Sequence, residues 1–235
     1  MKKSGRPPAA VFDLDGVLVD STPLHFRAWR RAAAERGREL DFGRFRATLG
    51  TGNGDTFRSV FGDGWSDRDI AAITGEKERF YRDELARGFV PVPGASELVA
   101  ALAGAGWRLA VATSAPTENV RLALGLLPNG ELLDARVDAS MVARCKPDPE
   151  VFLRAAALLD SPPASCVVIE DGIAGLTGAR RAGMATLALA TTMSRGELLP
   201  FADRVRDNLL GEDGQTLGAV IAAARIRNRR SGGAA

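Results

Sequence analysis

The sequence predicts an α/β fold: a parallel sheet covered by helices and interrupted once by a helical insert. Three observations predict it. From Gly94 to Ala190, short apolar runs alternate with amphipathic stretches, the pattern of a parallel sheet buried on both faces. A lone apolar run, residues 9–13, stands far upstream with no helix of the same cycle beside it, so it must join that sheet from a distance. Between the two, residues 21–91 carry helical spacing and no strand pattern. The expected division is therefore a core of residues 1–20 and 92–235 and an insert of residues 21–91.

Taken in order, residues 9–13 form a short buried strand stopped by aspartates. In TPLHFRAWRRAAAERG, the positions Leu24, Trp29, Ala32 and Ala33 keep to one face, and Gly37 suits a C-terminal stop. A second, short helix is expected over Phe42–Leu49. GTGNGD then reads as a loop, because three glycines fall within five positions. Residues 66–87 return to helical spacing through Ile70, Ile73, Lys77, Phe80 and Tyr81, and the proline-rich VPVPG reads as a linker. In the core, helices are expected over 95–105, 117–125, 149–159 and 173–182. Strands are expected over 107–113, near 135–138, and over 166–171 and 185–190.

Bulk properties narrow the function. The chain has 235 residues and a net charge of +2 from 31 basic and 29 acidic residues, which gives no electrostatic case for nucleic acid. The arginines of the tail RIRNRRSGGAA read as a solvated end. Cys145 and Cys166 are far apart and form neither a metal-type cluster nor a disulfide framework. The first residues make a poor signal peptide, and no apolar run is long enough to cross a bilayer. The expectation is a cytoplasmic monomer with no membrane partner.

Ligands of an open parallel sheet sit beyond the carboxyl ends of its strands. Here those ends carry Asp13-Leu14-Asp15, Thr113-Ser114 and Glu170-Asp171, with Lys146 just before a helix. Carboxylates packed together repel unless a cation compensates, and magnesium prefers oxygen ligands. Thr113 offers a hydroxyl and a backbone N–H for phosphate oxygens, and Lys146 offers a fixed charge. The set suits a phosphoryl group with a divalent metal. Asp13 can attack phosphorus, and Asp15 can give a proton to the leaving oxygen. Two such side chains on a straight strand would point to opposite faces, so the chain must bend at Leu14-Asp15-Gly16, which Gly16 permits.

DLDGVLVDS, the TS at 113–114, KPDPEVF and VIEDGIAGLTGARRAGM resemble, in order and spacing, the four motifs of the haloacid dehalogenase-like hydrolase superfamily. The resemblance spans residues 9–190. It implies a Rossmann-like parallel-sheet core with an inserted α-helical cap. It also implies Asp13 as nucleophile, Asp15 as acid and base, and Thr113, Ser114 and Lys146 as phosphate-binding residues. Mg²⁺ would be held by Asp13, the backbone carbonyl of Asp15, Asp171 and Glu170. Asp15 is the residue that dehalogenating and phosphonate-cleaving members lack, so phosphate ester chemistry is implied.

FDLDGVLVDSTPLHFRAW is most similar to the β-phosphoglucomutase-like branch, in which the histidine corresponding to His25 helps position the catalytic aspartate. His25 reads either that way or as cap packing. Two positions depart from the mutases: Asn53 stands where they carry a cap arginine, and Ser114-Ala115-Pro116-Thr117 lacks their lysine. Arg44, Arg46, Arg58 or Lys77 could substitute. Asn53 reads as part of a specificity loop or of a plain turn. The expected function is a Mg²⁺-dependent phosphatase of a small phosphomonoester, a sugar phosphate or related metabolite. The alternatives are a phosphohexomutase and a non-catalytic binding module on the same scaffold.

Overall fold

The computed structural model describes residues 6–48 and 53–232. In chain order the elements are β1 (Ala9–Phe12), α1 (Thr22–Ala34), α2 (Phe42–Arg46), α3 (Asn53–Phe61), α4 (Asp67–Gly88), α5 (Ala95–Gly104), β2 (Arg108–Ala112), α6 (Thr117–Leu126), β3 (Ala135–Val137), α7 (Glu150–Leu158), β4 (Cys166–Glu170), α8 (Ile173–Arg181), β5 (Ala185–Leu189), α9 (Arg195–Leu198), β6 (Arg204–Arg206) and α10 (Gly214–Gly232). The chain divides into two compact units, Met1–Val19 with Pro91–Ala235, and Asp20–Val90.

The larger unit is a Rossmann-like core. Its six strands are all parallel and run β3-β2-β1-β4-β5-β6 across the sheet. The apolar runs become strands because β-branched and small residues buried on both faces fit a pleated, helix-covered surface. Ala9 and Val11 of β1 join Val151, Phe152 and Ala155 of α7 and Ala179 of α8 in one buried cluster. Each Val or Phe buried this way stabilises by about 1.5–3 kcal/mol. α10 packs against β4 and β5, and α5 against β2. The strand order reverses direction between β1 and β4. The register pairs Phe12 with both Val111 and Ile169, so the residues following these strands meet at one edge.

The smaller unit is helical. Asp41 caps α2 by accepting from the Arg44 N–H at 2.9 Å, and Ser66 caps α4 through the Asp69 N–H at 3.2 Å. Trp29, Phe45, Phe57, Val60, Phe61 and Ile73 form its core. Arg36 ties the end of α1 to Glu76 of α4 at 2.6 Å. The chain passes between the units on paired backbone. Val19 bridges Pro91 within the core, and the Asp20 N–H donates to Val90 O at 2.9 Å within the helical unit.

Four expectations from sequence need correction. GTGNGD is not a loop to its end, because α3 already begins at Asn53; residues 49–52 lie outside the described residues. Phe57, Val60 and Phe61 bury one face of that helix, and this outweighs the propensity cost of Gly54. The helix expected over Phe42–Leu49 ends at Arg46, and Leu49 is outside the described residues. The sheet does not stop at β5, since β6 adds a short edge strand paired to it. The C-terminal arginines are not all solvated, because α10 carries two of them onto the core. Arg225 Nε donates to Ala164 O at 2.8 Å, and Arg227 pairs with Asp203 and donates to Met184 O at 3.3 Å.

Candidate active site

The turn after β1 builds the first wall. The Asp13 N–H continues the ladder to Ile169 O at 2.9 Å, so Asp13 is fixed by the sheet. The chain then folds back: Leu18 N–H donates to Leu14 O at 2.9 Å, and Gly16 N–H to Val19 O at 2.8 Å. Gly16 sits at φ +71°, a left-handed conformation that side chains resist. Its bare Cα also makes room, because a Cβ there would overlap Asp171 Oδ2. The expected bend is present, and Asp15 lies half-buried within it.

β4 and the loop before α7 supply the rest. Lys146 Nζ is 2.9 Å from Asp13 Oδ1 and 2.6 Å from Glu170 Oε1, and all three groups are buried. The ammonium also lies over the Phe152 ring at 5.2 Å. Glu170 Oε2 accepts from the N–H groups of Asp171 and Gly172, both at 2.9 Å, at the entrance to α8. That carboxylate fits only because residue 175 is glycine; a Cβ there would overlap Oε1. Asp171 accepts from the Thr192 hydroxyl, and Thr191 Oγ1 donates to Gly16 O at 2.6 Å.

Ligand oxygens of Asp13, Glu170 and Asp171 lie within 4.8 Å of one another. Burial pushes the Asp13 carboxyl up to about 7; Lys146 opposes the rise, and the charges of Glu170 and Asp15 add to it. Burial, then Glu170 and Asp13, hold Asp171 well above the usual carboxylate range. For Lys146, burial works against the charge, but Asp13 and Glu170 outweigh it and hold the ammonium above its ordinary value. One lysine faces three carboxylates, so the set has an excess of negative charge. All its donors are hard oxygens, and it fits a hard divalent cation.

Asp13, Lys146, Glu170 and Asp171 thus meet in one cluster, and Thr113 and Ser114 follow β2, the next strand over. One expectation about Thr113 is overturned. Its backbone N–H is not available to a phosphate, because it donates to Val137 O at 3.0 Å and extends the ladder. Its buried hydroxyl accepts from the Ala115 N–H at 3.1 Å. Ser114 is exposed. Cys145, beside Lys146, is exposed; Cys166 is buried, and burial pushes its thiol up to about 12.

His25 and Asn53 belong to the helical unit, where both are half-buried and join a polar cluster with the buried Lys77 and Glu78. Lys77 Nζ is 2.9 Å from His25 Nδ1 and 2.9 Å from Glu78 Oε1. The Asn53 amide donates to the same Glu78 oxygen at 2.7 Å. His25 stacks on Tyr81 with ring centroids 4.0 Å apart. Sequence reasoning missed Glu78, Gly175, Thr191 and Thr192. The glycine spacing in GIAGLTGARRAG was the available signal for Gly175; a loop carrying two threonines offered none.

The sequence matches the haloacid dehalogenase-like hydrolase family across residues 7–183. Protein CbbY of Rhodobacter capsulatus is 33% identical over 205 residues, covering 83% of this chain and 90% of that one. The β-phosphoglucomutase of Bacillus subtilis is 30% identical over 205 residues, covering 84% and 88%. Among solved structures, a HAD hydrolase of family IA, variant 3, from Entamoeba histolytica superposes with a TM-score of 0.84 at 26% identity, covering 92% of this chain and 99% of that one. With the motif carboxylates gathered at the β1–β4 edge and the family matched over most of its length, this chain belongs to the haloacid dehalogenase-like hydrolases.

Proposed function

We propose that the protein is a Mg²⁺-dependent phosphatase that hydrolyses a small phosphomonoester, a sugar phosphate or related metabolite, through an aspartyl phosphate on Asp13. The observation that carries this reading is the buried lysine at 2.9 Å from Asp13 within an all-oxygen acidic cluster. Asp13, Asp171 and the main-chain carbonyl of Asp15, with Glu170 beside them, would hold the cation. When bound, it offsets the charge of the carboxylates and of the phosphoryl oxygens.

The chain's own residues account for the rest. An Asp13 oxygen attacks phosphorus while the bond to the leaving oxygen breaks, and Asp15 gives that oxygen its proton. A water then attacks the aspartyl phosphate and passes its proton to Asp15. The phosphorus–oxygen bond to Asp13 breaks, and both aspartates are restored. Lys146 and the Thr113 hydroxyl hold phosphoryl oxygens.

Water, rather than a second sugar hydroxyl, is the proposed acceptor. A mutase must grip a second phosphate. Asn53 stands where those enzymes place an arginine, its amide is bound to Glu78, and Pro116 and Thr117 follow the second motif where they place a lysine. Lys77, the buried candidate substitute, has its charge met by Glu78 at 2.9 Å.

The test is a panel of metabolite phosphates with Mg²⁺ and with chelator, scored for inorganic phosphate and for isomerised ester. Metal-dependent phosphate release is expected. β-Glucose 1-phosphate converted mainly to glucose 6-phosphate in the presence of a bisphosphate primer would instead make the protein a mutase. No turnover on any ester would return it to a binding role.

A further inference from the structure

Beyond the four motifs, the loop that follows β5 reaches back to the cluster. Ala190 N–H donates to Arg206 O at 2.8 Å and fixes the loop where it leaves the sheet. Ser194 and Glu197 form a reciprocal capping box at the start of α9 and fix its far end. Only Thr191, Thr192 and Met193 lie between these anchors. Thr191 Oγ1 donates to Gly16 O at 2.6 Å, on the turn that carries Asp15. Thr192 Oγ1 donates to Asp171 Oδ2. Gly16 closes the triangle: a Cβ on it would overlap Asp171 Oδ2 and stand 3.0 Å from Thr192 Oγ1.

We propose that Thr192 is a positioning residue that orients Asp171 toward the cation, with Thr191 pinning the adjoining turn. This rests on the metal-dependent reading above. The Asp171 carboxylate turns about a single bond, and a hydroxyl held on one of its oxygens fixes that rotation. The lone pairs of the other oxygen then stay directed to a ligand. Glu170 needs no such partner, because Lys146 and two backbone N–H groups already hold it. Loss of an outer partner of this kind typically costs 10–100-fold in metal affinity.

The experiment measures Mg²⁺ binding to the full chain by titration calorimetry after removal of metal by chelator. Wild type is compared with Thr192→Val, which keeps the shape and removes the hydroxyl, and Thr192→Ser, which restores it. The melting temperature of each metal-free variant is recorded alongside. Thr192→Val should weaken Mg²⁺ by about 10-fold or more, raise the Mg²⁺ concentration needed for half-maximal turnover, and leave the metal-free melting temperature near wild type. Thr192→Ser should restore affinity. Wild-type affinity in Thr192→Val overturns the proposal, as does a Thr192→Ser variant as weak as the valine. If the valine variant fails to fold, the serine variant and Thr192→Ala decide on the same affinity measurement. Wild type that binds no Mg²⁺ would sink the metal reading itself, an outcome distinct from normal binding by both variants.

Discussion

Under the proposed mechanism Asp13 meets opposing demands: it would have to be ionised to attack, yet it is buried beside two other carboxylates. Lys146 at 2.9 Å offsets part of that cost, and the remaining excess negative charge is what makes a cation fit. Asp13→Asn keeps shape and hydrogen-bonding capacity but removes the proposed nucleophile. Phosphate release should fall by about 10⁴-fold or more, with the melting temperature kept or raised. Asp15→Asn should slow turnover by about 10²–10⁴-fold, and less for esters whose leaving group needs no proton, such as p-nitrophenyl phosphate. In the first, single-turnover release of the leaving group, which precedes the shared hydrolysis of the aspartyl phosphate, an equal loss on both kinds of ester would remove Asp15 from the acid role. The same burial makes a stability prediction. The folded carboxyl of Asp13 titrates near 7 against an ordinary 3.8. The folded state therefore binds the proton more tightly, and stability from this group is fully present below about pH 4 and lost as pH rises through about 7. In chelator, the urea midpoint should fall between pH 5 and pH 7.5. Saturating Mg²⁺ should offset the fall, and Asp13→Asn should lessen it, leaving the part that belongs to Asp171. A chelated wild type with the same midpoint at both pH values would contradict the coupling. These aspartates were legible because each ends an apolar run, where a charge has no packing role. Thr192 was not, since a hydroxyl in a loop has no period and its partner lies 21 positions away.

Among elements, the approach of α8 to the end of β4 shows how backbone shape makes room for charge. Gly175 lies in the first turn of α8, against the Glu170 carboxylate that accepts from both Lys146 and the backbone. Gly175→Ala gains helix propensity of about 1 kcal/mol on an exposed surface, but here the new methyl must displace a buried, triply bonded carboxylate. The overlap should dominate and cost about 1–3 kcal/mol, read as a lower urea midpoint, and Mg²⁺-dependent turnover should fall with it. A variant as stable as wild type would show that Glu170 can move freely. Element identity was readable wherever burial imposed a period. β1, β2, β4 and β5 are apolar runs buried throughout but for the first residue of β2, and α4 spaces Ile73, Phe80 and Tyr81 on a buried face. It failed where local and tertiary signals disagreed. Glycines hid the start of α3, and a three-residue strand with one valine between two arginines hid β6. The arginine-rich end of α10 looked solvated because its carbonyl partners, Ala164 and Met184, are remote in sequence.

At the scale of the molecule, one strand order places the chemistry. β1 is central, with β2 on one side and β4 on the other, so the residues that follow these strands converge although more than 150 positions separate Asp13 from Glu170. The helical unit interrupts the chain just after β1, and paired backbone at Val19–Pro91 and Asp20–Val90 lets the sheet continue past it. The sheet in turn depends on its last helix. α10 buries Leu217, Val220, Ile221 and Ala224 and packs against β4 and β5, the strands beside the acidic edge. Removing it would forfeit the burial of three large aliphatic side chains, worth about 1.5–3 kcal/mol each, uncover the surface of β4 and β5 they pack on, and leave Asp203 without Arg227. A domain's net stability is about 5–15 kcal/mol, so the loss is a large fraction of the whole. A chain ending after Asp213 should therefore be insoluble or lack a cooperative urea transition, and should release no phosphate. A chain ending after Arg229 keeps the apolar face, Arg225 and Arg227, and should unfold cooperatively within about 1 kcal/mol of the full chain. If the Asp213 truncation instead folds cooperatively and retains Mg²⁺-dependent turnover, the strands beside the site are held by the rest of the sheet, and α10 is dispensable to it.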